Sequence, residues 1–308
     1  MDPETSAEAE ARLRQERAWA AGFFDGEGWA GAVRQTGRNS QQPVAMINQG
    51  GDKGVPEVLT RFLVAVEGAG TITGPVIRAG RQDLYRWTAS SCRNVERTYE
   101  RIRPRLGEIK RAQFRRALSD PDDSLTESHA ECSPTDEIAW AAGLWDGEGW
   151  VGPLAHRSHA GYFVVEAEVK QSGSELPEVL TRFHRIVGAG RVYGPILQKH
   201  GWRDVYRWRT GGIDNVERVV RILWPWLGEI KREQARRALA VVRAQPQLPR
   251  GHPAWGSYKT HCVNGHEYAT ARLRPYVSRG VGRQRRDSKQ CLVCTREQAR
   301  ARRQARGG

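Results

Sequence analysis

AWAAGFFDGEGWAG at residues 18–31 recurs as AWAAGLWDGEGWVG at residues 139–152, identical at 11 of 14 positions and displaced by 121. The correspondence continues outward. VPEVLTRF at 55–62 answers LPEVLTRF at 176–183, GAG at 68–70 answers 188–190, and DLYRW at 83–87 answers DVYRW at 204–208. NVER at 94–97 matches 215–218, and LGEIKR at 106–111 matches 227–232. Matching segments in one order at a near-constant offset mean two copies of one folding unit in a single chain. The expected division is a first repeat over 1–118, a linker over 119–133, a second repeat over 134–245 and a separate basic unit over 250–308.

The repeated stretch also sets the local structure. Ser133-Pro134-Thr135-Asp136 offers an N-cap serine, a proline at the first helical position and an acid at the third, so a helix should begin at Pro134 and stop at Gly147 or Gly149. The first copy should be helical from about Ala7 to Asp25. After each motif the residues alternate, most clearly where Val165, Ala167 and Val169 take one face and Glu166, Glu168 and Lys170 the other. A short helix at each PEVLTRF, two strands ending in YRW and an amphipathic helical end complete an αββαββα unit, an α+β class with antiparallel sheets. Trp29, Trp87, Trp150 and Trp208 are expected in core or sheet packing.

The chain of 308 residues has 49 Lys+Arg against 35 Asp+Glu, a formal net charge of +14, with 39% hydrophobic residues. Folded cores are therefore affordable, and so basic a surface favours nucleic acid over small acidic substrates. No apolar run approaches a membrane span, and the polar, acidic N-terminus is unlike a signal peptide. The expectation is a cytoplasmic, nucleoid-associated protein, of bacterial or phage origin given 42 arginines to seven lysines.

Along the first signature helix Ala18, Gly22 and Gly26 fall at i, i+4 and i+8, and Ala139, Gly143 and Gly147 do the same in the second. Two helices with such faces can approach closely. Glu27 and Glu148 then meet at the helix ends across a pseudo-twofold axis. Paired carboxylates repel, and they sit at the negative ends of two helix dipoles; divalent cations relieve both, and hard oxygen ligands suit Mg²⁺. Such ions near a phosphodiester support its hydrolysis. The plainer alternatives are that the glycines cap helices and that Asp25 and Asp146 only satisfy backbone N–H groups.

AAGFFDGEG at 20–28 and AAGLWDGEG at 141–149 resemble the two signature helices of single-chain LAGLIDADG homing endonucleases, and the likeness extends over about residues 15–243. The resemblance implies a site-specific double-strand DNA endonuclease, cutting across the minor groove to leave short 3′ overhangs. The family's metal-binding acid falls on Glu27 and Glu148, and its structural acid on Asp25 and Asp146. A basic residue near the cleavage centre falls on Lys110 and Lys231, and a polar one at the end of the second strand on Gln49 and Gln171. The motif's opening Leu is Ala in both copies here, and Glu replaces the commoner final Asp. Because some relatives no longer cut, the alternative is a non-cleaving binder, an intron RNA maturase or a DNA-binding regulator. Met1 and Gly307-Gly308 carry no splicing signature, so a free-standing monomer is expected.

The resemblance also implies that the two sheets line a long, asymmetric duplex target. Candidate DNA contacts are Arg34, Gln35, Arg38, Arg78 and Arg81 in the first half and Arg157, Gln198, Lys199 and Arg203 in the second. The last 59 residues hold 14 Lys+Arg against 3 Asp+Glu, so +11 of the +14 lies there. Within them Cys262-x3-His266 and, after 24 residues, Cys291-x2-Cys294 supply the donor set of a tetrahedral structural Zn²⁺ site. Arg283, Arg285 and Arg286, with the basic segment after Cys294, should hold phosphates with little sequence preference. Cys92 and Cys132 read as ordinary thiols.

Overall fold

The computed structural model describes residues 3–34, 41–52, 54–77, 79–80, 82–119, 133–155, 162–198, 202–245, 266, 273–277 and 287–304. The first repeat runs α1 (Pro3–Glu27), β1 (Gly28–Arg34), β2 (Gln41–Gly51), α2 (Glu57–Ala65), β3 (Thr71–Val76), β4 (Asp83–Ala89), α3 (Cys92–Ile102) and α4 (Glu108–Leu118). The second repeats the order: α5 (Pro134–Glu148), β5 (Gly149–Ala155), β6 (Phe163–Gly173), α6 (Glu178–Val187), β7 (Arg191–Ile196), β8 (Asp204–Gly211), α7 (Ile213–Leu223) and α8 (Glu229–Arg243). The amphipathic end of each repeat is thus two helices, broken at Leu106-Gly107 and Leu227-Gly228. Beyond lie β9 (Leu273–Val277), β10 (Asp287–Cys291) and α9 (Leu292–Gln304). Met1–Leu154 and Phe163–Ala244 form one compact unit, and the chain from Gln245 belongs to a second. Among the described residues no helix is long and apolar enough to cross a membrane.

Each repeat builds one four-stranded sheet, in the orders β1-β2-β4-β3 and β5-β6-β8-β7. The alternation of β6 is as its sequence demands: Val165, Ala167 and Val169 are buried while Glu166, Glu168 and Lys170 face outward. The inner faces carry the same core twice. Phe62 meets Trp87 edge-on at 4.7 Å and Phe183 meets Trp208 at 4.9 Å. The indoles of Trp87 and Trp208 donate to the carbonyls of Ala69 and Ala189, in the two GAG segments, at 3.1 and 2.9 Å. The tryptophans of the YRW triplets are therefore core residues held to the turn that opens the neighbouring strand.

The two repeats join along α1 and α5. At their crossing, a Cβ on Gly22 would lie 1.9 Å from the Trp140 carbonyl oxygen, and one on Gly143 would lie 1.9 Å from that of Trp19. The helices touch backbone to backbone, and only glycine permits it. This is the close approach that the Ala/Gly face implies, and it sets aside the plainer alternative that Gly22 and Gly143 only cap helices. Helix α5 runs through Gly147 to Glu148 and stops at Gly149, one of the two expected ends, whose backbone is extended (φ −75°, ψ 147°). Helix α1 starts four residues earlier than expected, at Pro3, and runs on to Glu27. Around this crossing, Arg61 stacks on Trp19 at 4.0 Å and Arg182 on Trp140 at 3.9 Å, each also donating to a carbonyl of the other repeat, Trp226 and Arg105.

One interface contact has no counterpart. Asp136, fully buried at the start of α5, pairs with Arg105 at 2.9 Å and with Arg14 at 3.4 Å, both from the first repeat. At the equivalent places stand Trp226, Gln15 and Thr135.

Because partner backbone, and not a movable side chain, fills the space at the crossing, Gly22→Ala and Gly143→Ala should each destabilise by about 3 kcal/mol, a fall of roughly 6–12 °C in Tm. Thermal unfolding of either variant at the wild-type temperature would show that the helices are not in backbone contact.

Candidate active site at the base of the paired helices

The close crossing fixes what lies at the C-terminal ends of α1 and α5. Asp25 is buried and accepts from the Gly107 amide through both oxygens (3.0 and 2.9 Å) and from the Trp140 indole at 2.8 Å. Asp146 does the same with the Gly228 amide (3.0 and 2.9 Å) and the Trp19 indole at 2.8 Å. Each aspartate thus caps the last long helix of its own repeat and holds a tryptophan of the other. The structural role expected of Asp25 and Asp146 fits these contacts. Trp19 and Trp140 escaped sequence reasoning, although an indole buried at the same place in both copies must find an acceptor.

Two residues on, Glu27 lies over Gly147 and Glu148 over Gly26: a Cβ on either glycine would fall 2.8 or 3.0 Å from the opposing glutamate's Cγ. The carboxylates therefore cross the pseudo-twofold axis. Lys110 donates to the Gly28 carbonyl and Lys231 to the Gly149 carbonyl, the latter at 2.5 Å. Both lysines act electrostatically on both glutamates. Gln171 donates to Glu148 at 3.1 Å, and Gln49 bonds to Glu27. Counting from the motif, these glutamines stand at offsets that differ by one, 49 and 171. Their cross-strand partners, Tyr85 and Tyr206, show that they occupy the same rung. All six expected residues converge on one centre.

Burial dominates the acid–base properties there. It raises Glu27, and together with the facing Glu27 charge it raises Glu148 from 4.5 to about 7. Burial raises Asp25 and Asp146 from 3.8 to about 6 against the pull of their hydrogen bonds. It lowers Lys110 and Lys231, against the attraction of the nearby carboxylates. Two carboxylates at the negative ends of two helices, all donor atoms hard oxygens, fit a hard divalent cation, with Glu27 and Glu148 as the residues that would hold it.

No family model matches the chain, and no curated protein matches it by sequence. Comparison with solved structures finds many of similar fold. The LAGLIDADG homing endonuclease I-GzeII, in complex with its DNA target, superposes with a TM-score of 0.51 at 13% identity, over 81% of this chain and 94% of that one. The LAGLIDADG meganuclease I-CpaMI, bound to uncleaved DNA, gives 0.54 at 12% identity, over 74% and 92%. I-AabMI, also bound to uncleaved DNA, gives 0.53 at 14%, over 74% and 90%. The fold is that of the LAGLIDADG homing endonucleases.

On the LAGLIDADG framework, the departures at Ala20 and Ala141 are fully buried packing changes. Of the two expected settings, core or sheet packing, Trp29 and Trp150 take the sheet: each is 40% exposed, on the outward face, with its ring over Gly31 or Gly152 of the same strand. Of the expected DNA contacts, Arg34 is exposed at the end of β1, Gln198 is exposed after β7, bonded to the Ile196 carbonyl at 3.2 Å, and Arg203 is exposed before β8. Gln35, Arg38, Arg78, Arg81, Arg157 and Lys199 lie outside the described residues, as do Arg283, Arg285 and Arg286.

In the C-terminal unit β9 and β10 form an antiparallel pair leading into α9. The ligand atoms of His266, Cys291 and Cys294 lie within 4.8 Å of one another, with His266 Nδ1 at 3.2 Å from Cys294 Sγ. Cys262 lies outside the described residues. Glu297, missed in the sequence, stands 3.4 Å from His266 Nε2, one turn along α9 from Cys294. A carboxylate on the far nitrogen would fix the ring's tautomer with Nδ1 free to bind metal.

The raised carboxyls set a pH dependence. Their folded values exceed the unfolded ones, so their contribution to stability is complete below about pH 4 and is lost as pH rises through 6 to 7. In the metal-free chain Glu148→Gln should therefore raise Tm relative to wild type at pH 8 and change it little at pH 4.5. Equal effects at both pH values would mean that Glu148 is not a buried, repelled carboxylate.

Proposed function

We propose that this chain is a divalent-metal-dependent, site-specific DNA endonuclease that cuts both strands of a long asymmetric duplex as a monomer. The observation carrying this reading is the duplicated Glu–Gln–Lys set at the base of α1 and α5, one set for each strand. Bound Mg²⁺ would supply polarisation of the scissile phosphoryl group, a more acidic water and stabilisation of the leaving 3′ oxygen. The chain's own groups do the positioning. Gln49 and Gln171 hold the carboxylates by their amide ends and leave a carbonyl oxygen to orient water. Lys110 and Lys231, anchored on the carbonyls that follow the glutamates, place positive charge where the phosphoryl oxygens gather it. Symmetric sets on either side of a narrow axis suit cutting across the minor groove with short 3′ overhangs, the outcome that the resemblance implies.

The C-terminal unit is read as a zinc-stabilised module. Cys262, His266, Cys291 and Cys294 are its ligands, and the exposed arginines of α9, Arg296 and Arg300, add non-specific phosphate contacts. The donor set, two thiolates and an imidazole already gathered, is the soft-to-borderline one that zinc prefers.

Incubation of a randomised duplex library with the full chain and Mg²⁺, followed by sequencing of cut ends, should give defined double-strand breaks. Glu27→Gln and Glu148→Gln should abolish them or leave nicks, and Lys110→Met should lower the rate by about 10²–10³-fold. Retained binding without any cutting by the wild type would make the protein a non-cleaving binder instead.

Metal analysis of the purified chain should find about one zinc per molecule, lost in Cys291→Ser together with protection of the C-terminal unit from protease. A Cys291→Ser protein with full zinc content would remove Cys291 from the ligand set.

A further inference from the structure

Outward-facing residues of the two sheets, equivalent in position, differ sharply in chemistry. Next to the signature helices, the first sheet presents a row of Trp29, Met46, Thr88 and Thr71, paired across four strands. The next row is Asn48, Arg86 and Thr73, in which Arg86 Nε donates to Asn48 Oδ1 at 2.8 Å. In the second sheet the corresponding rungs are Glu168, Arg209 and Arg191, then Lys170, Arg207 and Tyr193. One arginine in the first set faces three arginines and a lysine in the second.

Three of those four second-sheet cations are held by ion pairs. Arg209 is paired with Glu166, Arg207 with Glu168 at 3.3 Å, and Lys170 with Glu168 at 2.7 Å. Both glutamates are largely buried, at 19% and 12% side-chain exposure, so the arginines are anchored from the neighbouring strand while their own side chains stay about one-third exposed. An arginine fixed in this way loses little freedom on binding and presents its fork of donors in one direction. A carboxylate beside it repels phosphate, which disfavours a mere backbone contact and favours base edges. Arginine pairs with guanine O6 and N7, and a glutamate accepts from cytosine N4, whereas threonine and methionine methyls suit the thymine methyl and asparagine suits adenine.

We infer that the two sheets divide the target by base composition. The inner half of the site under β5–β8 is guanine-rich, read by Arg191, Arg207 and Arg209, and the inner half under β1–β4 is dominated by A·T pairs, read by Met46, Asn48 and Thr88. This rests on the DNA-binding reading above and names the substrate more closely.

Selection of duplexes from a library randomised over about 24 base pairs, using the full chain without added divalent metal, tests both. The recovered sites should be guanine-rich on one side of centre and A·T-rich on the other. Arg209→Lys and Arg207→Lys keep the charge and lose the fork; each should relax one or two guanine positions on the guanine-rich side, with about 5–100-fold weaker binding to the selected site. Asn48→Ala should relax a position on the other side only. Sites with evenly mixed halves, or lysine variants that bind with unchanged guanine preference, would overturn the division while leaving DNA recognition intact. Failure to enrich any sequence would overturn both.

Discussion

Gly22 lies against the backbone of α5 and Gly143 against that of α1, and the rest of the molecule is arranged around that contact. With side chains at these two places the helix axes would move apart by the width of at least a methyl group. The tryptophan of each helix would then fall short of the buried aspartate of the other, and the glutamates would no longer lie over Gly26 and Gly147. Close packing is therefore the means by which charge is concentrated. Two buried aspartates, two glutamates and two lysines are brought into a small volume that no single repeat could fill. Van der Waals contact along a glycine face carries the opposing electrostatic strain.

That strain is distributed by rank. The aspartates, deepest, are fully satisfied by three hydrogen bonds each and act as caps for α4 and α8. The glutamates, nearer solvent, have a glutamine bond each, the attraction of Lys110 and Lys231, and one another's repulsion. The aspartates therefore have their bonding capacity used inside the protein, whereas the glutamates retain capacity for a further ligand.

Much of this was legible in the sequence because it was written twice. Repetition identified the two units and paired Glu27 with Glu148, local patterning gave the alternating faces of β6 and the helix start at Ser133-Pro134, and the resemblance pointed to Lys110, Lys231, Gln49 and Gln171. The contacts that hold the units together were not legible, for a physical reason. Trp19 to Asp146 and Trp140 to Asp25 span 127 and 115 residues, so no local spacing encodes them. The close approach of the helices, by contrast, was legible because Ala18, Gly22 and Gly26 fall on one face and recur as Ala139, Gly143 and Gly147. Exposed Trp29 and Trp150 look like core residues in composition, and only the strand register, with Ala30 and Val151 turned inward, shows them on the outer face.

The buried pair between Arg105 and Asp136 bears on how such a chain can change over generations. Two copies of the second repeat brought together would each bury Asp136 without Arg105 or Arg14, because Trp226 and Thr135 occupy those places, and an unpaired buried charge costs about 3–5 kcal/mol. Two copies of the first repeat would bury Arg105 opposite Gln15 instead. Neither half is thus a good partner for itself, and the ancestry of the repeats as equals is no longer reversible. The halves are complementary rather than interchangeable, and this frees each outer sheet face to diverge without a symmetric twin inheriting the change.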